Sequence, residues 1–180
     1  MSNCATNRWP TIYDFDSLQK EISCLLGRGL DEGFYNTSPD TENLFQGDIL
    51  EIDLEFPFID EDGDISSFTS SKWLLLGNTC DITREDLPYT NLIPLEELEN
   101  DIPEGILASL KQYQNYKRVY LPDITKKSNG YIADFTQICS IKKDFLIENA
   151  QKVSELEYAS WVLFHSCIVR YFARDDGRKD

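Results

Sequence analysis

The sequence predicts an α+β protein, mainly β, in which helices pack on a small barrel or a strongly curled sheet. Three observations predict this class: a strand with strict apolar and acidic alternation, several short apolar strands at irregular spacing, and a long amphipathic segment near the C-terminus. The 180 residues are 41% hydrophobic and 12% aromatic, which is enough for a packed core and most simply one domain.

The first predicted element is a short helix over residues 14–26. Its apolar residues recur at helical spacing, Asp14 can cap its first turn, and Gly27 ends the pattern. A loop rich in glycine, aspartate, serine, threonine and proline follows. We therefore predict an N-terminal extension of helix and loop over residues 1–45, and a main domain over residues 46–180.

Several strands follow this extension. Leu50 to Phe56 alternates apolar and acidic residues, which predicts a strand with one wet, acidic face. Asp60 to Asp64 is typical of a turn. Trp73 to Gly77 is a continuous apolar run, which predicts a strand buried on both faces that leads into a polar corner. Further short strands are predicted at Asn91–Leu95, at Val119–Pro122 and within Tyr131–Ile141.

Two helices complete the pattern. Pro103 is predicted as the first residue of an inserted helix whose apolar residues lie between Ile106 and Tyr113. The residues Ser154-Glu155-Leu156-Glu157 have the form of a capping box, which predicts that a long C-terminal helix starts at Ser154. Arg170 near its end suits the helix dipole.

The charge of the chain is unevenly distributed. The net charge is -15, from 32 acids and 17 bases. Residues 1–104 hold 23 acids and 5 bases, a net of -18, whereas residues 105–180 hold 9 acids and 12 bases, a net of +3. RNA binding is disfavoured by this balance, because phosphate binding is driven by lysine and arginine.

In their order, these motifs resemble the MazF/PemK family of toxins, whose members are small SH3-like barrels closed by a C-terminal helix. The matching segments are Gly47-Asp48-Ile49 before the alternating strand, Trp73 to Asn78, Asn91 to Leu95, Asp134 to Ile141, and the helix from Ser154 to Arg174. The resemblance covers roughly residues 46–172. It implies an SH3-like barrel closed by the long C-terminal helix, in a bacterial toxin–antitoxin or phage-defence setting. Together with the N-terminal and inserted helices predicted from the residues, this gives the expected architecture.

The resemblance also implies an activity, endoribonuclease cleavage, but the family's catalytic pattern is altered here. The family places an arginine, usually followed by proline, before the second strand, where this chain has Lys72. It places threonine or serine after the third strand, where this chain has Glu96 and Glu97, which repel phosphate. A surviving ribonuclease would use Lys72 with Thr79 or Arg84. We favour a non-catalytic module over this alternative.

A second enzymatic alternative is a thiol hydrolase through Cys80, which follows the apolar strand at a place where nucleophiles often lie. Its base would have to be His165, the only histidine. However, His165 belongs to a helix rich in core residues. The favoured interpretation is that Cys80 is a small buried residue and that His165 packs at a helix edge.

Protein binding is the favoured function. The candidate contact residues are the acids of the alternating strand and of the turn after it: Glu51, Asp53, Glu55, Asp60, Glu61 and Asp62. Dense negative surfaces of this kind attract basic proteins, so a basic protein partner is expected, and a homodimer is a further expectation. A basic group, including Lys117, Arg118 and Lys143, could instead form a stripe for nucleic acid, although a solvated face is the commoner outcome.

No cofactor or metal is expected. The chain has one histidine and no Cys-x-x-Cys pair, and the acidic turn lacks the loop of an EF-hand. The five scattered cysteines fit free thiols in a reducing cytoplasm. Neither an apolar run long enough to span a bilayer nor a signal peptide is recognised, so a cytoplasmic protein without membrane contact is expected.

Overall fold

The computed structural model describes residues 33–172, together with Lys20 and Ser23. Within this part the protein is α+β and mainly β, with seven strands and four α-helices. The strands are β1 (Ile49–Ile59), β2 (Ile65–Leu75), β3 (Tyr89–Glu97), β4 (Arg118–Leu121), β5 (Tyr131–Asp134), β6 (Cys139–Lys142) and β7 (Gln151–Ser154). The helices are α1 (Thr79–Ile82), α2 (Glu104–Lys111), α3 (Lys143–Asn149) and α4 (Tyr158–Phe172). Except for Lys20 and Ser23, the predicted helix over residues 14–26 lies outside the described residues.

The chain divides into two compact units, each built from separate stretches of sequence. The first unit comprises Met1–Thr37, Glu96–Phe135 and Leu156–Asp180. The second unit comprises Ser38–Leu95 and Thr136–Glu155.

The second unit is an antiparallel sheet in the order β7-β1-β2-β3-β6. Strand β1 pairs with β7 at Ile49–Glu51 and with β2 along most of its length. The two ends of this order, β7 and β6, are not paired with each other among the described residues, so the sheet is not closed there. The core is formed by Leu50, Ile52, Trp73, Leu75, Leu92 and Leu146.

In the first unit, the hairpin of β4 and β5 and the helix α4 supply most of the buried side chains. Strand β4 pairs with β5 from Arg118–Asp134 to Leu121–Tyr131. The ring of Phe135 lies 6.5 Å from that of Phe164 and 5.0 Å from that of Tyr171, both on α4.

The predicted start of the C-terminal helix is wrong. Ser154 is the last residue of β7 and pairs with Ile49, so it does not cap a helix. Helix α4 begins at Tyr158, and the carboxylate of Glu157 accepts a hydrogen bond from the backbone N–H of Ala159 at 2.7 Å. The reason is that the edge of β1 recruits residues 151–154 as a strand, a long-range pairing that a local capping pattern does not show.

The inserted helix is close to its prediction, with Pro103 as the N-cap of α2. Tyr113, predicted to lie on this helix, lies beyond its end instead, with φ at +53°. Its hydroxyl donates a hydrogen bond to the carbonyl oxygen of Tyr120 at 2.8 Å, and the side chain is buried. The anchor to β4 explains why the helical path stops before Tyr113.

Candidate functional site

The hairpin of β1 and β2 extends beyond its neighbours and carries most of the predicted contact residues. We call residues 53–71 the distal hairpin. It starts at a bulge, where the pairing register shifts between Glu51 and Leu54. Two residues of β1 face one residue of β2 there, an arrangement that bends a strand and increases its twist.

Trp73 holds this bulge in place. Its indole Nε1 donates to the carbonyl oxygen of Ile52 at 3.0 Å and to that of Ser70 at 3.1 Å. The two carbonyl groups belong to opposite strands of the hairpin, and the tryptophan side chain is fully buried. A single core residue therefore connects both strands at the base of the distal hairpin.

The tip of the distal hairpin is the predicted turn. The Asp60 carboxylate accepts hydrogen bonds from the hydroxyl of Ser66 at 2.7 Å and from the backbone N–H groups of Asp64 and Asp62. These bonds, the one from Ser66 first, lower the pKa of Asp60. Gly63 has φ at +86°, a conformation that glycine adopts without strain.

The distal hairpin has one aromatic face and is acidic as a whole. On one face, Phe56 and Phe68 stack with ring centroids 6.1 Å apart, and both pack against Trp73. The distal hairpin holds six acids and no base. Of the predicted contact residues, Glu51, Asp53, Glu55, Glu61 and Asp62 are exposed, and Asp60 is half-buried.

Large apolar side chains lie exposed beside these acids. Phe58 is 44% exposed, Ile59 68% and Ile65 78%. They lie on either side of the turn, at the end of the hairpin farthest from Trp73. The tip thus combines negative charge with apolar area, the mixture found at protein-binding surfaces.

The three predicted ribonuclease residues are only partly brought together. Thr79 and Arg84 both line a cavity of about 660 Å³ in the second unit, which also contains Phe45, Lys143 and Lys152 in its wall. Lys72 is not among the lining residues. It lies in β2, directly opposite Glu51.

The guanidinium of Arg84 is already paired with the carboxylates of two neighbouring residues. Its Nε and Nη2 bond the two oxygens of Asp86 at 3.2 and 2.8 Å, and its Nη1 lies 3.8 Å from Asp81. A phosphate would have to displace these carboxylates. The hydroxyl of Thr79 accepts a hydrogen bond from the backbone N–H of Gln46 at 3.0 Å, which joins α1 to the chain before β1.

Two lysines in the cavity wall have roles that no sequence pattern predicts. Lys143 belongs to the predicted basic stripe, but only 6% of it is exposed. Its ammonium donates hydrogen bonds to the backbone carbonyl oxygens of Asp81 and Arg84 at the end of α1. Both the favoured solvated face and the alternative stripe are therefore wrong for Lys143, because α3 turns this side chain toward the carbonyls that end a short helix.

Lys152 forms a buried charge cluster. Its ammonium lies 2.8 Å from Asp48 Oδ2 and 2.9 Å from Glu155 Oε2, and 4.6 Å from the ring centroid of Phe45. Burial raises the pKa of Asp48 to about 6, although hydrogen bonds from Lys152 and from the Phe45 N–H oppose the rise. Asp48 belongs to the Gly-Asp-Ile motif, which the sequence shows. No pattern near Asp48 predicts that a lysine of β7 pairs with it.

The residues of the thiol alternative lie in different units. Cys80 is exposed on α1 in the second unit, so the prediction of a buried Cys80 is wrong. It is exposed because α1 is a single turn with no buried residue. His165 is half-buried on α4 of the first unit, beside Trp161, with ring centroids 5.2 Å apart. Burial lowers the pKa of His165.

No helix in the described part of the chain is long and apolar enough to cross a membrane. Within residues 33–172, no group of three or more histidine, cysteine, aspartate or glutamate side chains is arranged to hold a metal ion. In comparisons with known proteins, no family model, curated protein or solved structure matches this chain.

Proposed function

We propose that this chain is a non-catalytic protein-binding module and that its distal hairpin docks a basic protein. One observation carries the proposal: six acids and no base share a hairpin whose tip also exposes Phe58, Ile59 and Ile65. Long-range attraction between opposite charges speeds the encounter with a basic partner. The exposed apolar side chains supply area that becomes buried on docking.

The charge also opposes docking of a second copy at this surface. Another hairpin would bring six more carboxylates and no compensating base, which is repulsive at short range. A homodimer in which the two hairpins face each other is therefore opposed. Charge complementarity favours a basic protein as the occupant of the distal hairpin.

The wider setting is proposed from the family resemblance. The resemblance favours an SH3-like barrel over residues 46–180 and a bacterial toxin–antitoxin or phage-defence role. The scattered cysteines favour the cytoplasm. The loss of the family's catalytic pattern at Lys72 favours binding over cleavage.

Capture from a lysate of the source cells tests the proposal, with two matched variants as baits. The hairpin variant Glu61→Gln/Asp62→Asn/Asp64→Asn removes three exposed charges from the tip. The control variant Glu96→Gln/Glu97→Gln/Glu99→Gln removes three exposed charges from the first unit.

The expected result is a basic protein that the wild-type chain and the control variant both capture and that the hairpin variant loses. Moderate salt should weaken this capture, because exposed charges are screened. Equal capture by all three baits, or capture of no basic protein, would contradict the proposal.

A ribonuclease is the second candidate, because Thr79 and Arg84 line one cavity. In this alternative, Arg84 exchanges Asp86 for a phosphate. Expression of an active toxin should arrest growth and cleave RNA, and Arg84→Ala or Lys72→Ala should abolish both effects. Normal growth with intact RNA would exclude this candidate.

A further inference from the structure

We infer that the partner binds by adding a β-strand to the free edge of β2, between Ile65 and Ser71, and that this strand alternates basic and apolar residues. The inference rests on the proposed function and specifies its binding mode. Addition of a strand supplies main-chain hydrogen bonds, while alternate side chains of the added strand select the partner. The edge that can accept such a strand is the one whose backbone N–H and C=O groups point outward from the hairpin.

The turn determines which residue pairs of the hairpin are hydrogen-bonded and which have backbone groups that point outward. The backbone N–H of Asp60 donates to the carbonyl oxygen of Asp64 at 3.0 Å, so these two residues form a hydrogen-bonded pair. Pairs in an antiparallel ladder alternate between hydrogen-bonded and non-hydrogen-bonded. The pair Pro57–Ser67 lies three steps from the turn and is therefore non-hydrogen-bonded. This assignment agrees with the absence of an N–H group on proline.

Residues of the non-hydrogen-bonded pairs direct their backbone N–H and C=O groups away from the other strand of the hairpin. On β2 they belong to Ile65, Ser67 and Thr69, each of which has both an N–H and a C=O. On β1 they belong to Glu55, Pro57 and Ile59. No hydrogen bond to these outward groups is found among the described residues.

The two edges are not equivalent. The β1 edge is blunted by Pro57, which offers no donor in the middle of the row, and by the charge of Glu55. The β2 edge has neither proline nor charge from Ile65 to Ser71. Strand β3 pairs with β2 only at Trp73, Leu74 and Leu75, so it does not extend along this stretch. Among the described residues, the unprotected edge is therefore that of β2.

The side chains along this edge indicate the partner's pattern. Phe68 lies on the aromatic face, where an apolar side chain of the added strand would pack beside it. On the other face, the carboxylate of Glu55 accepts a hydrogen bond from the hydroxyl of Ser67 and so lies over β2. An added strand would lie about 5 Å from β2, within reach of that carboxylate for a lysine or arginine. Around Ser67 and Phe68, alternating basic and apolar residues match these two faces, and Ile65 adds apolar area to the Glu55 face nearer the turn.

Amide hydrogen exchange of the full chain tests the inference, with a peptide of alternating lysine and valine as the probe. A peptide of the same sequence, N-methylated at every residue, is the control because neither of its edges can donate hydrogen bonds to a ladder. We expect the amides of Ile65, Ser67 and Thr69 to become protected by the first peptide only. The amides of Glu55 and Ile59 should not change.

A pair of variants at one position gives the second readout. Ser67→Pro removes the outward N–H, whereas Ser67→Ala keeps it, and both lose the bond to Glu55. We expect Ser67→Pro to bind the peptide about tenfold more weakly than Ser67→Ala. If Ser67→Pro disturbs the free hairpin, Thr69→Pro against Thr69→Ala makes the same comparison at the next outward position.

Each outcome decides the inference separately from the proposed function. Protection at Glu55 and Ile59 instead, equal binding of the proline and alanine variants, or no binding of the peptide would overturn strand addition at β2. The proposed function would still stand in these cases if the hairpin variant loses its captured basic protein. If that variant keeps its partner, the proposed function fails regardless of the exchange result.

Discussion

The ammonium of Lys152 lies 2.8 Å from Asp48 Oδ2, and the two side chains are 4% and 0% exposed. Glu155 provides a second carboxylate at 2.9 Å, and the ring of Phe45 covers the cluster. The pair connects β7 to the segment that opens β1. Charged groups so deeply buried are tolerated only when they are paired.

Removal of the lysine should therefore destabilise the protein strongly. We expect Lys152→Met to lower the free energy of unfolding by about 3–5 kcal/mol at pH 8, because the Asp48 carboxylate is left buried without its cation. Urea denaturation measures the change. The double variant Asp48→Asn/Lys152→Met should lose clearly less than the sum of the two single variants. Additive losses would contradict the coupling.

Asp48 should also make stability depend on pH. Its pKa is raised from 3.8 to about 6 by burial, so the folded state holds the proton more tightly than the unfolded state. The stabilisation is complete below pH 4 and is lost as the pH rises through 6, by about 3 kcal/mol. The difference in unfolding free energy between wild type and Asp48→Asn should fall over this window. A constant difference would show that Asp48 does not titrate there.

Trp73→Phe should weaken the base of the distal hairpin. Phenylalanine keeps most of the buried ring but loses the donor to Ile52 and Ser70. We expect a loss of about 1–3 kcal/mol, because the carbonyl groups of Ile52 and Ser70 each lose a hydrogen bond at the base of the hairpin. Amide exchange should quicken around the bulge and leave β4 unchanged. A uniform change across both units would argue against this local role.

Gly77→Ala should cause a steric clash with one identified neighbour. A Cβ at this position would lie 2.0 Å from Thr90 Oγ1 and 3.3 Å from Thr90 Cβ. We expect a destabilisation of about 1–3 kcal/mol by thermal or urea unfolding. Thr90→Ala should relieve most of it, whereas Thr90→Val should not, because valine retains a methyl group where the hydroxyl was. Equal effects of the two partner variants would exclude this contact as the cause.

The cysteines should differ in reactivity. Cys80 is exposed, whereas Cys167 is fully buried, and burial raises its pKa to about 11. We expect a thiol reagent to modify Cys80 in the native protein and Cys167 only after unfolding, as read by mass spectrometry of digested peptides. Native labelling of Cys167 would contradict its burial. If the protein were a thiol hydrolase, the variants Cys80→Ala and His165→Ala would both fold and would both lose the same hydrolytic activity.

Local patterns predict the parts of this fold that have local causes. The alternation of Leu50 to Phe56 identifies β1, and the acidic turn after it is found where Asp60 and Gly63 indicate it. The first half of β2 has no such signal, because its serine and threonine residues become a strand only through pairing with β1. Strand β7 has the same origin.

The residues of the candidate site likewise fall into a group that local sequence predicts and a group that it does not. The acids of the distal hairpin could be predicted, since they lie close together in sequence, in one alternating strand and the turn that follows it. The cluster of Asp48 and Lys152 could not, because its members come from opposite ends of the second unit. The hydrogen bonds from Lys143 to the carbonyl groups at the end of α1 could not be predicted, because the sequence of the basic residues does not show which of them is buried.

The pairing of Ile49 with Ser154 has a consequence for synthesis of the chain. When β1 leaves the ribosome, its partner β7 has not yet been translated, so one side of β1 near Ile49 must wait for most of the remaining chain. During that interval the hairpin with β2 can form, but the core beneath it stays incomplete. Long-range closure of this kind slows folding and extends the time in which exposed strands can meet other chains. A binding partner or a chaperone that engages the nascent chain during this interval would meet the acidic hairpin before β7 has joined it.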